Sequence, residues 1–290
     1  LCLGWAVVLI LVAVLPALAE TDEPILRMEV GAHSAGIWSI ALGPSNRILV
    51  TGSEDKTARV WDLSGRGELM RTLRPPVGEG EEGQIFAVAL SPDEKTVACG
   101  GRTGSFQQQD VCVYLFDRET GALVRRLGGL PGFVQPLAYS RDGRFLAVVT
   151  GARGGRASWA VMRLYRVPDY TLAAEDRDYG DFVKWAEFDP AGKRLATASF
   201  DGFVRLYDIS GLGVPAGPPP RPLAPASRIR PAGGERPWGL AFSPDGALLA
   251  VGQHYRPRLD VLAVKGNSLE QAYSPDTKGG AEGQEIDFRT

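Results

Sequence analysis

Residues Ile37 to Ser53 read IWSIALGPSNRILVTGS. Two apolar runs flank a turn made of Gly, Pro, Ser and Asn, which is the pattern of two antiparallel strands joined tightly. The pattern returns as IFAVALSPDEKTVACGG (Ile85 to Gly101) and VQPLAYSRDGRFLAVVT (Val134 to Thr150). It returns again as VKWAEFDPAGKRLATAS (Val183 to Ser199) and PWGLAFSPDGALLAVGQ (Pro237 to Gln253). The turn anchors Pro44, Pro92, Arg141, Pro190 and Pro244 are spaced by 48, 49, 49 and 54 residues.

A third strand follows each hairpin: ARVWDL (58–63), VYLFDR (113–118), VMRLYRV (161–167), VRLYDI (204–209) and LDVLAV (259–264). A fourth is legible at LMRTL (69–73), ALVRRL (122–127) and YTLAA (170–174). No connector has helical periodicity, which argues against a βαβ arrangement. The fold expected is all-β, a β-propeller of four-stranded antiparallel blades. Its blades are expected at about 29–78, 79–130, 131–178, 179–232 and 233–282. GQEIDFRT (283–290) then opens a sixth blade, cut before its turn.

The first unit carries His33, Thr51, Asp55 and Trp61 in the context TGSEDKTARVWDL. This resembles a blade of the WD-repeat family, whose loop His, strand Ser/Thr, turn Asp and Trp form a hydrogen-bonded tetrad within one blade. The family's Gly-His pair is Gly31-Ala32-His33 here. The fourth unit keeps Thr197, Asp201 and Tyr207 but has Tyr179 at the His position, and the other units lose the tetrad. The resemblance runs over about residues 29–290. The Ser-Pro-Asp-Gly turns are also similar to those of periplasmic propellers of the TolB and lactonase-like kinds. The WD-repeat likeness implies a structural tetrad and a non-catalytic protein-interaction scaffold.

Composition narrows function further. The 290 residues carry a net charge of −2, so bulk electrostatics give no reason to bind nucleic acid. With two His and three Cys, metal and disulfide frameworks are poorly supplied. Signatures of hydrolases, P-loops and zinc proteases are absent, so no catalytic residue, cofactor or metal site is expected. Asp176 and Asp178 fall in a charged connector, EDRDYGD, read as a solvated turn, and His254 stands alone in a loop. Cys99 and Cys112 flank an insertion; alignment on the first unit places Cys99 opposite about Phe116, too far from Cys112 for a bond. Buried free thiols are expected.

Function in a propeller sits on loops around the channel. The insertions are 101–110 (GRTGSFQQQD, with Phe106), 151–159 (GARGGRASW) and the Pro-rich tract 211–237, which holds Arg221, Arg228 and Arg230. By analogy with WD-repeat propellers, all three are expected on one partner-binding face, the tract as a connection between blades four and five. The residues six positions before each anchor are Trp38, Phe86, Gln135, Lys184 and Trp238. They lie near the start of each innermost strand and are expected to ring one channel mouth.

LCLGWAVVLILVAVLPALA (1–19) is uncharged and ends in Ala-Leu-Ala. It reads as a secretory signal, or as a membrane anchor if uncut, followed by a linker at 20–28. The expectation is an exported, periplasmic or secreted scaffold that binds a protein or peptide partner. The alternatives are a periplasmic propeller hydrolase or lactonase, and the docking part of a larger protein with an effector such as a caspase-like peptidase.

Overall fold

In the computed structural model, the described residues are 31–104, 111–151, 160–213, 220–234, 236–255 and 257–275. The segment 1–19, Phe106, most of the insertions in blades two and three, and residues 283–290 lie outside them.

Five antiparallel sheets follow one another along the chain. Blade one is β1 (Ile37–Leu42), β2 (Ile48–Ser53), β3 (Ala58–Asp62) and β4 (Glu68–Leu73). Blade two is β5 (Ile85–Leu90), β6 (Thr96–Gly101), β7 (Val111–Asp117) and β8 (Leu123–Leu130). Blade three is β9 (Phe133–Tyr139), β10 (Phe145–Gly151), β11 (Val161–Arg166) and β12 (Leu172–Asp176). Blade four contains β13 (Val183–Phe188), β14 (Arg194–Ser199), β15 (Val204–Asp208) and β17 (Ser227–Ile229). Blade five is β18 (Pro237–Phe242), β19 (Leu248–Gln253), β20 (Leu259–Lys265) and β21 (Ser268–Tyr273). A two-residue strand, β16 (Arg221–Pro222), pairs in parallel with β12 at the edge of blade three.

The turns follow from side-chain chemistry. Ser91, Ser140 and Ser243 each donate a hydroxyl to the Asp two residues on and accept the backbone N–H five residues on. A Ser-x-Asp sequence therefore closes the hairpin with its own hydrogen bonds.

Each pair of neighbouring blades encloses an apolar cluster. Val50, Val60, Ile85 and Val97 belong to the cluster of blades one and two, and Leu206, Leu240, Val251 and Leu262 to that of blades four and five. The innermost strands pack one on the next from β1 to β18, and the propeller is not closed. Two glycines register this. A Cβ on Gly52 would fall 2.8 Å from both Ile85 and Val88 of the next blade, so only Gly lets the blades approach so closely. A Cβ on the matching Gly252 of blade five would meet only its own blade, Gly239 O at 4.0 Å. At the other end, Ile37, Ile40 and Leu42 of β1 are more than half exposed.

The Pro-rich tract departs from expectation. It contains the fourth strand of blade four, so its insertion joins strands three and four. The amide of Ile209, where the tract begins, donates to Lys193 O in the β13–β14 turn, at the far end of the sheet from the β14–β15 turn. The tract therefore leaves blade four at the end opposite its β14–β15 turn, and not from the end where the strand-two/strand-three turns were expected to gather it. Cys99 stands opposite Tyr114, two residues nearer Cys112 than the alignment suggested, because β7 starts at Val111; both cysteines are buried.

Candidate functional site

In blade one, His33 Nδ1 lies 2.8 Å from Asp55 Oδ2, and His33 Nε2 lies 2.7 Å from Thr51 Oγ1. Trp61 Nε1–H donates to Thr51 Oγ1 at 2.9 Å. The carboxylate fixes the imidazole so that Nδ1–H donates to it, and the Thr51 hydroxyl completes the chain. Every polar atom of the chain spends itself on a neighbour in the same blade, which is a structural arrangement and not a nucleophile with its base.

Blade four solves the same problem with tyrosines. Tyr207 donates to Asp176 Oδ2 at 2.7 Å, and its oxygen lies 2.6 Å from the Tyr179 hydroxyl, which lies 3.0 Å from Thr197 Oγ1. Asp176 is thus a buried acceptor and not part of a solvated turn, whereas Asp178 is exposed. Burial, ahead of all other causes, pushes both tyrosine hydroxyls above their ordinary range.

A β-bulge stands near the start of each innermost strand. Strand register slips between Ile37 and Ser39, between Ile85 and Ala87, between Val183 and Trp185, and between Pro237 and Leu240. In blade three it slips where Val148 and Thr150 pair with Leu137 and Val134. The extra residue in each case is, or lies beside, Trp38, Phe86, Gln135, Lys184 or Trp238. A bulge re-aims a side chain that strand alternation would otherwise commit to one face.

These five positions come together with residues that the spacing argument missed. The ring pairs Trp38–Phe86, Phe86–Phe133, Phe133–Phe182, Phe182–Phe200 and Phe200–Trp238 have centroids 5.5, 6.1, 6.0, 6.5 and 5.6 Å apart. Trp238 then stacks on His254 at 4.3 Å with an interplanar angle of 7°. His254 therefore belongs to the aromatic chain, with Tyr255 beside it, and is not a lone loop residue. Cations are set among the rings: Arg102 lies 5.8 and 5.7 Å from Phe86 and Phe133, and Arg236 lies 5.3 Å from Phe200.

Lys184 is the centre of the arrangement. Its Nζ donates to Gln135 Oε1 at 2.9 Å and sits 4.9, 5.1 and 5.0 Å from the rings of Phe182, Phe200 and Trp238. Burial brings its ammonium down to about 8, against an opposing pull from Asp181. Burial, then Lys184 and Arg236, lower the imidazole of His254. A signal for the missed residues exists. Gly36, Gln84, Phe182 and Arg236 each accept, at their backbone carbonyls, the N–H of Glu54, Arg102, Phe200 and His254, so these form further repeating positions.

Of the Pro-rich tract's arginines, Arg236 stands among the rings, whereas Arg221, Arg228 and Arg230 have other partners. The Arg228 and Arg230 guanidiniums lie 3.7 and 4.3 Å from the Phe203 ring, Arg228 also reaches Asp178, and Arg221 sits in β16. The partners of Arg228 and Arg230 belong to blade four and its entry, and Arg221 pairs with Ala174 of blade three. Among the described residues, no three His, Cys, Asp or Glu side chains converge to hold a metal.

The family described as WD domain, G-beta repeat matches residues 25–62 and 177–208, the segments that carry the two hydrogen-bond chains. Both segments match WD repeats. It is 24% identical over 187 residues to Actin-interacting protein 1 of Drosophila melanogaster, covering 64% of this chain and 28% of that protein. It is 27% identical over 189 residues to the WD repeat-containing protein VIP3 of Arabidopsis thaliana, covering 61% and 55%. It is 28% identical over 189 residues to a guanine nucleotide-binding protein subunit beta of Nicotiana tabacum, covering 63% and 46%. The WD-repeat chain thus spans between about a quarter and a little over half the length of these relatives, which are eukaryotic.

Proposed function

We propose that this WD-repeat chain is a non-catalytic scaffold that binds a protein or peptide through the aromatic rim of its channel mouth. One observation carries the reading. An unbroken series of rings from Trp38 to His254 crosses all five blades with Arg102, Lys184 and Arg236 set among them. Aromatic and cationic side chains on one surface are what protein contacts concentrate. Lys184 has no carboxylate within ion-pair distance among the described residues, so a partner's acidic group would meet an ammonium already stripped of much of its water. The apolar segment 1–19 supports an exported location. No observation favours the hydrolase or effector-domain alternatives.

The test is a displayed-peptide selection on the purified chain, with each enriched peptide re-measured on Phe86→Ala/Trp238→Ala. Loss of binding by about tenfold or more is expected, as for hot-spot aromatics. Peptides that bind the variant as well as the parent would remove the rim from the reading.

A further inference from the structure

The aromatic chain ends beside a cavity of about 520 Å³ in blade five. Its size falls within the range of ligand sites in proteins. Arg236, Arg258, Gln253 and His254 line it, and among the described residues no carboxylate does.

Behind its wall lies a polar network. Asp260 is fully buried, and its carboxylate accepts Ser274 Oγ–H at 2.5 Å, Gln253 Nε2–H at 2.9 Å and Gly233 N–H at 3.2 Å. A carboxylate offers acceptors, so the Gln253 amide must turn its nitrogen toward it. That leaves Gln253 Oε1 buried with no hydrogen-bond partner, and His254 Nδ1 is in the same condition. Oε1 is directed at Gly234, where a Cβ would fall 2.3 Å away, so the wall is open there only because residue 234 has no side chain. Buried polar atoms without partners are rare, and two in one cavity wall mark where ligand atoms belong.

The cavity is particular to this blade. The residue paired with Thr51 in blade one is Arg59, and the residue paired with Thr197 in blade four is Arg205. Both arginines are buried. The corresponding partner of Val251 is Asp260. The long cation that fills the other two blades is replaced by a short anion, and two arginines stand at the rim of the space instead.

We infer that this cavity receives an acidic side chain of an extended partner peptide. The carboxylate lies between the Arg236 and Arg258 guanidiniums, a peptide N–H donates to Gln253 Oε1, and the adjoining apolar side chain rests on the Trp238–His254 stack. This rests on the rim reading above and adds the partner's chemistry to it.

The probes are an acetylated, amidated hexapeptide alternating Glu and Leu, and its counterpart with Gln in place of Glu. Both are titrated into the chain by calorimetry and by Trp fluorescence. The Glu peptide is expected to bind at least about tenfold more tightly than the Gln peptide. Arg236→Gln combined with Arg258→Gln should equalise the two; both side chains are exposed, so the fold is retained. Gln253→Leu should weaken the Glu peptide about fivefold, and Gly234→Ala, which closes the wall, should do the same with both arginines in place. Equal binding of the two peptides, no binding of the Glu peptide, or a preference that survives the arginine replacements overturns the inference. So does displacement of the Glu peptide by inorganic phosphate at equal concentration. If displayed peptides still bind and still need Phe86 and Trp238, the rim reading stands while the acidic site falls.

Discussion

Blade one and blade four place a hydrogen-bond chain at the same station, and they differ in what the chain is made of. Blade one runs from Asp55 through His33 and Thr51 to Trp61. Blade four runs from Asp176 through Tyr207 and Tyr179 to Thr197, and the turn acid Asp201 is bound instead to Arg205 at 2.6 Å. Arg205 is wholly buried, stacked 4.3 Å from the Tyr179 ring. The same architectural need, a satisfied polar spine inside an apolar blade, is met by an imidazole in one case and by two phenols with a buried ion pair in the other. The pattern of satisfaction persists where residue identity does not.

The comparison breaks most sharply at the turn acid. Asp201→Ala should destabilise the chain by about 3–5 kcal/mol in urea unfolding, because it strands a buried guanidinium. Asp55→Ala removes hydrogen bonds from Thr57 and Ser34, the contact with His33 and a longer ion pair with Arg59 at 4.0 Å, and should cost less, about 1–3 kcal/mol. Equal losses would show that the closer Asp201–Arg205 pair adds nothing to what the 4.0 Å Asp55–Arg59 pair gives blade one.

Next in size is the far end of each chain. Tyr207→Phe leaves Asp176 and Tyr179 each short of a partner in a buried site and should cost about 2 kcal/mol. Trp61→Phe removes one N–H from a half-buried position and should cost about 1 kcal/mol. A larger loss for Trp61→Phe in the same unfolding assay would reverse the ranking.

The smallest effect is the response to pH. Burial opposes ionisation of Asp55 and Asp201, but hydrogen bonds from Thr57 and His33 in the first, and from Arg205 in the second, outweigh it and hold both carboxyls below the ordinary range. A lowered carboxyl contributes stability above its unfolded value near 4 that is lost as pH falls through the folded value, so both blades weaken in acid. The blade-four tyrosines are raised, so their contribution is complete below the unfolded value near 10 and drains away as pH rises beyond it. At pH 10.5 the loss should be just under about 1 kcal/mol for each tyrosine. Tyrosinate absorbance followed through unfolding, with Tyr179→Phe as control, checks it; an unchanged alkaline limb in that variant would contradict the assignment.

The five hairpins were legible because each carries its own turn chemistry at a regular spacing, from Gly43-Pro44-Ser45-Asn46 to Ser243-Pro244-Asp245-Gly246. Strand β17 was not. Ser227-Arg228-Ile229 is too short and too polar for an alternation signal and follows a Pro-rich tract that reads as a loop. β21, with four of its six residues exposed and polar or small, was missed for a related reason. At the rim, spacing alone selected Trp38, Phe86, Gln135, Lys184 and Trp238. Phe133, Phe182, Phe200 and His254 escaped because a bulge breaks the period of two on which side-chain direction is judged, so the neighbours that complete the series could not be assigned to the same face.

The tract that contains β16 and β17 has a further consequence. Arg221 and Pro222 are hydrogen-bonded to the edge of blade three, and five residues later the same segment closes the edge of blade four. Neither outer strand can be peeled away without tugging the other. In amide hydrogen exchange, Ala174 and Leu206 should therefore open as one cooperative unit, while the outer strands of blades one and two fray independently. A stretch whose composition suggests slack behaves as a stitch across the seam between two blades.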